Sequence, residues 1–168
     1  MKALTIWQPY ASFFAAGAKK YETRSWRTDY RGPIAIHAAL RPMGWIAEHT
    51  APEAVEIAAR IFGSEGMMDL PTGKIVAFGR LTACELMTEE FIRQQTPEEL
   101  AVGDWQPARY AWRIEDVESV DPIEIKGQQG LWTLDLCPAC RYNTNDFVAL
   151  PYCGGCDGVS KFERRRTT

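Results

Sequence analysis

The stretch Gly17-Ala18-Lys19-Lys20-Tyr21-Glu22-Thr23-Arg24 runs directly into Ser25-Trp26-Arg27 and then Asp29-Tyr30-Arg31-Gly32-Pro33. Cations, a carboxylate and aromatic rings alternate along it, a mixture suited to holding a polar ligand. Upstream, Pro9 to Ala18 reads as a short helix. Pro9 fits the first turn, Phe13 and Phe14 supply apolar bulk, and Gly17 suits the end. Downstream, Gly32-Pro33 marks a turn, and Ile34-Ala35-Ile36-His37-Ala38 reads as a strand.

Pro42 to Phe62 has a partial 3.6-residue pattern that ends at Gly63, and Pro52 predicts two helices there rather than one. After the turn at Pro71-Thr72-Gly73, Lys74 to Cys84 is a long strand that is apolar on both sides, as a central strand is. Thr88 to Gln95 fits a short helix capped by Thr88. Arg109 to Asp116 alternates, with Tyr110, Trp112 and Ile114 on one face, and Asp121-Pro122 is expected to end it. Ile123 to Ile125 and Leu131 to Leu136 are two further strands around Gly127-Gln128-Gln129-Gly130. The order predicts an α+β fold with a mixed, barrel-like sheet and flanking helices, without internal repeats.

The chain has 168 residues, 46% of them apolar and 24% charged, the balance of a soluble globular protein. No run approaches the roughly 18 apolar residues of a membrane span, and the first residues lack a secretory apolar run. The expectation is a cytoplasmic protein with no membrane partner. The net charge of −3 hides a segregation. Residues 1–41 carry a balance of +5, residues 42–157 a balance of −11, and the last eleven residues +3. Binding follows the local patch rather than the total, so an acidic chain with a basic N-terminal region remains a candidate for nucleic acid. A solvated face is the plainer explanation of the same charges, and of the Arg164-Arg165-Arg166 run.

Four of the five cysteines form two C-x-x-C pairs, Cys137/Cys140 and Cys153/Cys156, twelve residues apart. Four thiolates so spaced can surround one zinc at about 2.3 Å, and a cytoplasmic setting disfavours disulfides. The segment is too short for its own core, so a structural zinc is expected to organise it. Cys84 lies in an apolar strand and reads as core. The expected division is a first domain over 1–136 and a zinc-knuckle or zinc-ribbon-like tail with a basic end over 137–168.

Several motifs together carry a family resemblance. They are Leu4-Thr5-Ile6 with Gln8-Pro9-Tyr10-Ala11, the G-x-K-x-x-E-x-R pattern as Gly17, Lys19, Glu22 and Arg24, then Ser25-Trp26, Tyr30-Arg31-Gly32-Pro33 and Ile36-His37-Ala38. Gly103-Asp104-Trp105, Tyr110-Ala111-Trp112 and Gly130-Leu131-Trp132 extend them. Over about residues 1–136 the chain resembles the ASCH domain family of the PUA-like superfamily. The resemblance implies a small mixed β-barrel with flanking helices and a cleft where the G-x-K-x-x-E-x-R residues meet. It also implies ligands of the nucleic-acid kind, and some members resemble small hydrolases of an acetylated cytidine nucleoside or of RNA.

The candidate ligand-binding residues are Trp7, Gln8, Lys19, Glu22, Arg24, Trp26, Arg27, Tyr30 and Arg31. Arginines can grip phosphates, and Trp7, Tyr10, Trp26 and Tyr30 can stack on bases. The leading expectation is a module for single-stranded RNA or DNA, or for a modified nucleoside. The alternative is a metal-independent hydrolase using Lys19 and Glu22. This chain carries Glu22 where the amidohydrolase-like members have threonine. The later glutamate of those members has no clear counterpart among Glu85, Glu89, Glu90, Glu98 and Glu99. A third reading is a protein-interaction module that engages a protein partner through the zinc tail. The bland alternatives are a structural Glu22–Arg24 ion pair, a core histidine at His37, and core tryptophans at Trp112 and Trp132.

Overall fold

The computed structural model describes residues 1–134 apart from Ser64. The expected zinc ligands Cys137, Cys140, Cys153 and Cys156 and the basic end lie outside the described residues. Among the described residues six strands form one mixed sheet: β1 (Lys2–Ile6), β2 (Tyr21–Arg24), β3 (Gly32–Ala38), β4 (Lys74–Leu86), β5 (Tyr110–Glu124) and β6 (Leu131–Thr133). Their order is β2-β5-β4-β3-β1-β6. Only β1 and β3 run parallel, and every other pairing is antiparallel. The helices are α1 (Tyr10–Ala15), α2 (Met43–His49), α3 (Pro52–Phe62), α4 (Glu89–Arg93) and α5 (Pro97–Ala101), with a 3-10 turn over Gly66–Asp69.

The sheet curls into half a barrel, and one hydrogen bond proves the curvature. Arg24 on β2 donates to the Thr5 carbonyl on β1 at 3.1 Å, although four strand spacings separate β2 from β1 in the sheet. In a flat sheet that gap would be about 19 Å, far beyond an arginine's reach. The bending sits in the long pair β4–β5, whose register shifts three times, between Ile75/Ala77, Phe78/Arg80 and Leu81/Ala83. Each bulge adds local twist and coils the ribbon. Asp116, with φ 51, lies on this bulged stretch of β5.

The central apolar strand predicted over 74–84 is β4, seated between β5 and β3. Both faces of the sheet are covered. Leu4, Ile34, Ile36, Leu81, Trp112 and Ile114 pack with Phe14 of α1 on one face. Ala3, Ala35, Ile75, Phe78 and Trp132 form the core of the other. A third cluster joins Phe13 of α1 to Ala54, Ile57 and Ala58 of α3 and to Val102 after α5. The split of 42–62 into two helices falls at Pro52, which takes the first turn of α3. Thr88 caps α4 by accepting from the Phe91 amide at 3.1 Å.

One expectation needs correction, and two strands and a helix are added to those the sequence predicts. The break at Asp121-Pro122 does not occur, since β5 runs on to Glu124. Pro122 falls between the registered pairs Ala77–Ser119 and Ile75–Ile123, where the β4–β5 register shifts. On its other side β5 has no neighbour there among the described residues, because β2 pairs only with Tyr110 to Arg113. A missing N–H costs little on such an edge. Strands β1 and β2, near the N-terminus, are additional to those predicted from sequence. The helix α5 is likewise additional, and its signal is local: Thr96-Pro97-Glu98-Glu99 carries a cap residue, a first-turn proline and an acidic turn. Among the described residues, no helix is long and apolar enough to cross a membrane.

Candidate functional site

The turn out of α1 builds the site. Gly17 adopts a left-handed φ of +73, its amide bonds the Phe14 carbonyl, and the Ala18 amide bonds that of Phe13. This double bond is the glycine-dependent way to close a helix, because a side chain at that φ is strained. It delivers Lys19 into the interior, 3% exposed. The Lys19 ammonium donates to the Val102 carbonyl and lies 5.6 Å and 5.9 Å from the ring centres of Phe14 and Tyr10. That carbonyl belongs to the residue that ends α5 and so lacks a partner within its helix.

Strand β2 begins two residues later. Successive strand side chains alternate in direction, so Glu22 and Arg24 share a face. Glu22 bridges two cations: one oxygen lies 2.9 Å from Arg24 and the other 4.0 Å from Lys19. Glu22 is buried, and Arg24 is partly exposed at the edge. Burial holds the Lys19 amine below the ordinary lysine range; the carboxylates of Glu22 and Glu99 oppose this shift and Arg24 reinforces it. Burial likewise raises the Tyr10 phenol.

These groups line an open cavity of about 490 Å³, together with Thr5, Trp7, Tyr10, Asp104 and Arg109. That lies within the usual range for small-molecule sites. Trp7 stands at its rim, 47% exposed, braced edge-on by Trp45 at 4.9 Å. Arg109 is held by Asp104 at 3.2 Å. The Nε groups of Arg24 and Arg109 are buried and have no hydrogen-bond partner among the described residues. Among the described residues there is no cluster of three or more His, Cys, Asp or Glu placed to hold a metal.

A family model described as the ASCH domain matches residues 4–128. The chain belongs to the ASCH domain family. ASCH domains are generally RNA-binding modules of the PUA-like kind. The chain is similar in fold to the crystal structure of ASCH from Zymomonas mobilis, at 13% identity and a TM-score of 0.53, with 86% of this chain and 90% of that one covered. Crystal structures of two single-residue variants of that protein match at 15% identity, with TM-scores of 0.49 and 0.48. They cover 80% of this chain and 89% and 87% of theirs. No curated protein matches the chain.

Within this ASCH domain the nine candidate binding residues separate. Trp7, Lys19, Glu22 and Arg24 converge on the cavity. Gln8 is buried beside it: its amide donates to Ser12 Oγ and the Pro71 carbonyl, and its oxygen accepts from the Ser12 amide. Trp26, Arg27, Tyr30 and Arg31 lie on the connection from β2 to β3 and do not line the cavity. Trp26 packs edge-on against Trp112 at 4.4 Å. Arg27 pairs with Asp29 at 2.7 Å, Tyr30 donates to the Pro33 carbonyl, and Arg31 donates to the Thr28 and Tyr30 carbonyls.

Of the five glutamates left open, Glu99 is the one gathered into this region, and it is 6% exposed. Its two oxygens accept from the Lys20 and Tyr21 amides, both at 3.0 Å. It therefore fixes the backbone at the start of β2 and positions Lys19 and Glu22. Thr5, Val102, Asp104 and Arg109 were not foreseen as site residues. Two of them act through backbone carbonyls, which no side-chain pattern reveals. Gly103-Asp104-Trp105 stood out as a motif and was the available signal for the third.

Proposed function

We propose that this ASCH domain binds single-stranded nucleic acid by taking one base or nucleoside into the Lys19–Glu22–Arg24 cavity, stacked on Trp7. The supporting observation is the convergence of these three side chains beneath an exposed tryptophan in an open cavity of about 490 Å³. Base stacking on an aromatic ring contributes roughly 1–3 kcal/mol and suits any base. The cavity's charges are largely self-compensated, with Arg24 paired to Glu22 and Arg109 to Asp104. Such a lining fits the uncharged polar edge of a base better than a bare phosphate. Titration of mixed-sequence oligonucleotides and of the four nucleosides, followed by Trp fluorescence, tests it. Saturable binding that Arg24→Ala weakens is expected; the absence of any binding at low salt removes the proposal.

A second reading is hydrolysis, favoured by the depressed Lys19 amine. Neutral Lys19 would accept a proton from a water that adds to an acyl carbon and return it to the departing amine. Turnover of an acetylated nucleoside that Lys19→Arg abolishes would support it, since guanidinium holds its proton. The proposal extends to the tail, where Cys137, Cys140, Cys153 and Cys156 would hold one structural zinc. Elemental analysis of protein purified without added metal should return about one zinc per chain; metal-free protein with four reactive thiols contradicts it.

A further inference from the structure

Thr5 and Trp7 form a ridge with a cavity on each side. The second groove encloses about 770 Å³ and is lined by Arg41, Lys74 and Lys126 against one carboxylate, Glu124. Its three cations face one carboxylate, whereas the first cavity sets Lys19, Arg24 and Arg109 against two, Glu22 and Asp104. Its walls are also well built. Thr5 Oγ1 donates to the Gln128 carbonyl at 2.7 Å and accepts from Trp132 Nε1 at 3.1 Å, which ties the 126–130 loop to β1. His37 Nε2 lies 3.0 Å from the Ile125 carbonyl, and a Cβ on Gly127 would fall 2.3 Å from its ring, so only glycine lets the loop close there. Arg41 lies 6.0 Å from the Trp7 ring centre and 5.1 Å from that of Trp45, so this cation reaches the ridge itself.

We infer that this second groove holds the phosphodiester backbone of nucleotides flanking the one in the first cavity, so the ligand is an oligonucleotide chain that crosses the Thr5–Trp7 ridge. The inference rests on the base-binding reading above. It divides the work between two sites: a cavity whose two arginines are each paired with a carboxylate takes a base, and a more cationic groove takes its neighbours' phosphates. A phosphate needs cations without matched carboxylates, and the groove's three cations face one. Passing over Trp7 keeps a stacking surface under the strand between the two sites.

The test compares mononucleosides with single-stranded hexanucleotides, in RNA and DNA form, on the full chain and on Lys74→Gln/Lys126→Gln. Neither lysine lines the first cavity. The double variant should bind nucleosides as the wild type does but lose about tenfold in hexanucleotide affinity. Its salt dependence should be shallower by about 1.4 in log–log slope, from two lost phosphate contacts at about 0.7 each. Hexanucleotide affinity and slope unchanged in the double variant overturn this inference and leave nucleoside binding standing. Displacement of the hexanucleotide by a hexaglutamate peptide also overturns it, since the groove would then read charge alone. Failure of both nucleosides and hexanucleotides to bind would overturn this inference together with the base-binding reading.

Discussion

Residues 19–24 and 25–31 look alike as text: each mixes basic side chains with acidic and aromatic ones. In the folded chain they differ in burial and in partners. Lys19 and Glu22 are buried; Lys19 and Arg24 bind across elements, to Val102 after α5 and to Thr5 on β1, and Glu22 lies between the two cations. Arg27 and Asp29 are 64% and 84% exposed in their side chains and pair with each other two residues apart. Arg31 bonds carbonyls one and three residues away. A local loop can satisfy its charges with its own backbone. A strand at the edge of a curled sheet turns alternate side chains inward, where their partners come from distant sequence. The second arrangement makes a site and the first makes a surface.

The largest effect separating the two should come from Glu22. Glu22→Ala leaves Lys19 and Arg24 facing each other without their shared counter-charge. Removing one member of a buried pair costs about 3–5 kcal/mol. Urea denaturation should show that loss, with Glu22→Gln milder because it retains an acceptor. Glu99→Ala comes next. It strips two part-buried amides of a charged acceptor, at about 1.5–3 kcal/mol for such bonds, and should weaken ligand binding by loosening the start of β2.

Much of this contrast was legible beforehand. The long apolar β4, the Pro52 split between helices and the Thr88 cap all follow from local patterns that burial later reinforces. The convergence of Gly17, Lys19, Glu22 and Arg24 was implied by the family resemblance. Strand β2 itself was not legible, because Tyr21-Glu22-Thr23-Arg24 has no apolar alternation; its inward face is polar, as a site requires. Glu99 was one of five equivalent glutamates until α5 was placed beside β2. Pro122 misled because a proline ends a strand only where its missing N–H had a partner.

A smaller effect concerns pH. Burial lowers the Lys19 amine from 10.5, so below its folded pKa the protein carries a buried charge that the unfolded chain holds in water. As pH rises from that folded value towards 10.5, the unfolded chain still binds the proton and the folded one does not. Stability from this group therefore increases over that window. Lys19→Met should remove the increase, as measured by thermal melts of both proteins at matched pH values. Smallest of all is Arg27→Ala. An exposed pair of this kind contributes about 0.2–1 kcal/mol at most. A melting temperature close to the wild type's and an unchanged oligonucleotide affinity are expected; a binding loss like that of Arg24→Ala would erase the distinction between strand and loop.

Two tryptophans bring the comparison to one measurement. Trp7 stands exposed at the cavity rim, whereas Trp26, 37% exposed, rests its edge on Trp112 outside the cavity. The affinity of one single-stranded oligonucleotide should be measured for the wild type, Trp7→Leu and Trp26→Leu, since leucine keeps apolar bulk and removes the π-face. Loss of one stacked base, roughly 1–3 kcal/mol, predicts that Trp7→Leu binds about 5- to 150-fold more weakly while Trp26→Leu stays within about twofold of the wild type. Full affinity in Trp7→Leu, with the loss appearing in Trp26→Leu instead, would place the ligand on the loop and contradict the cavity as the binding site.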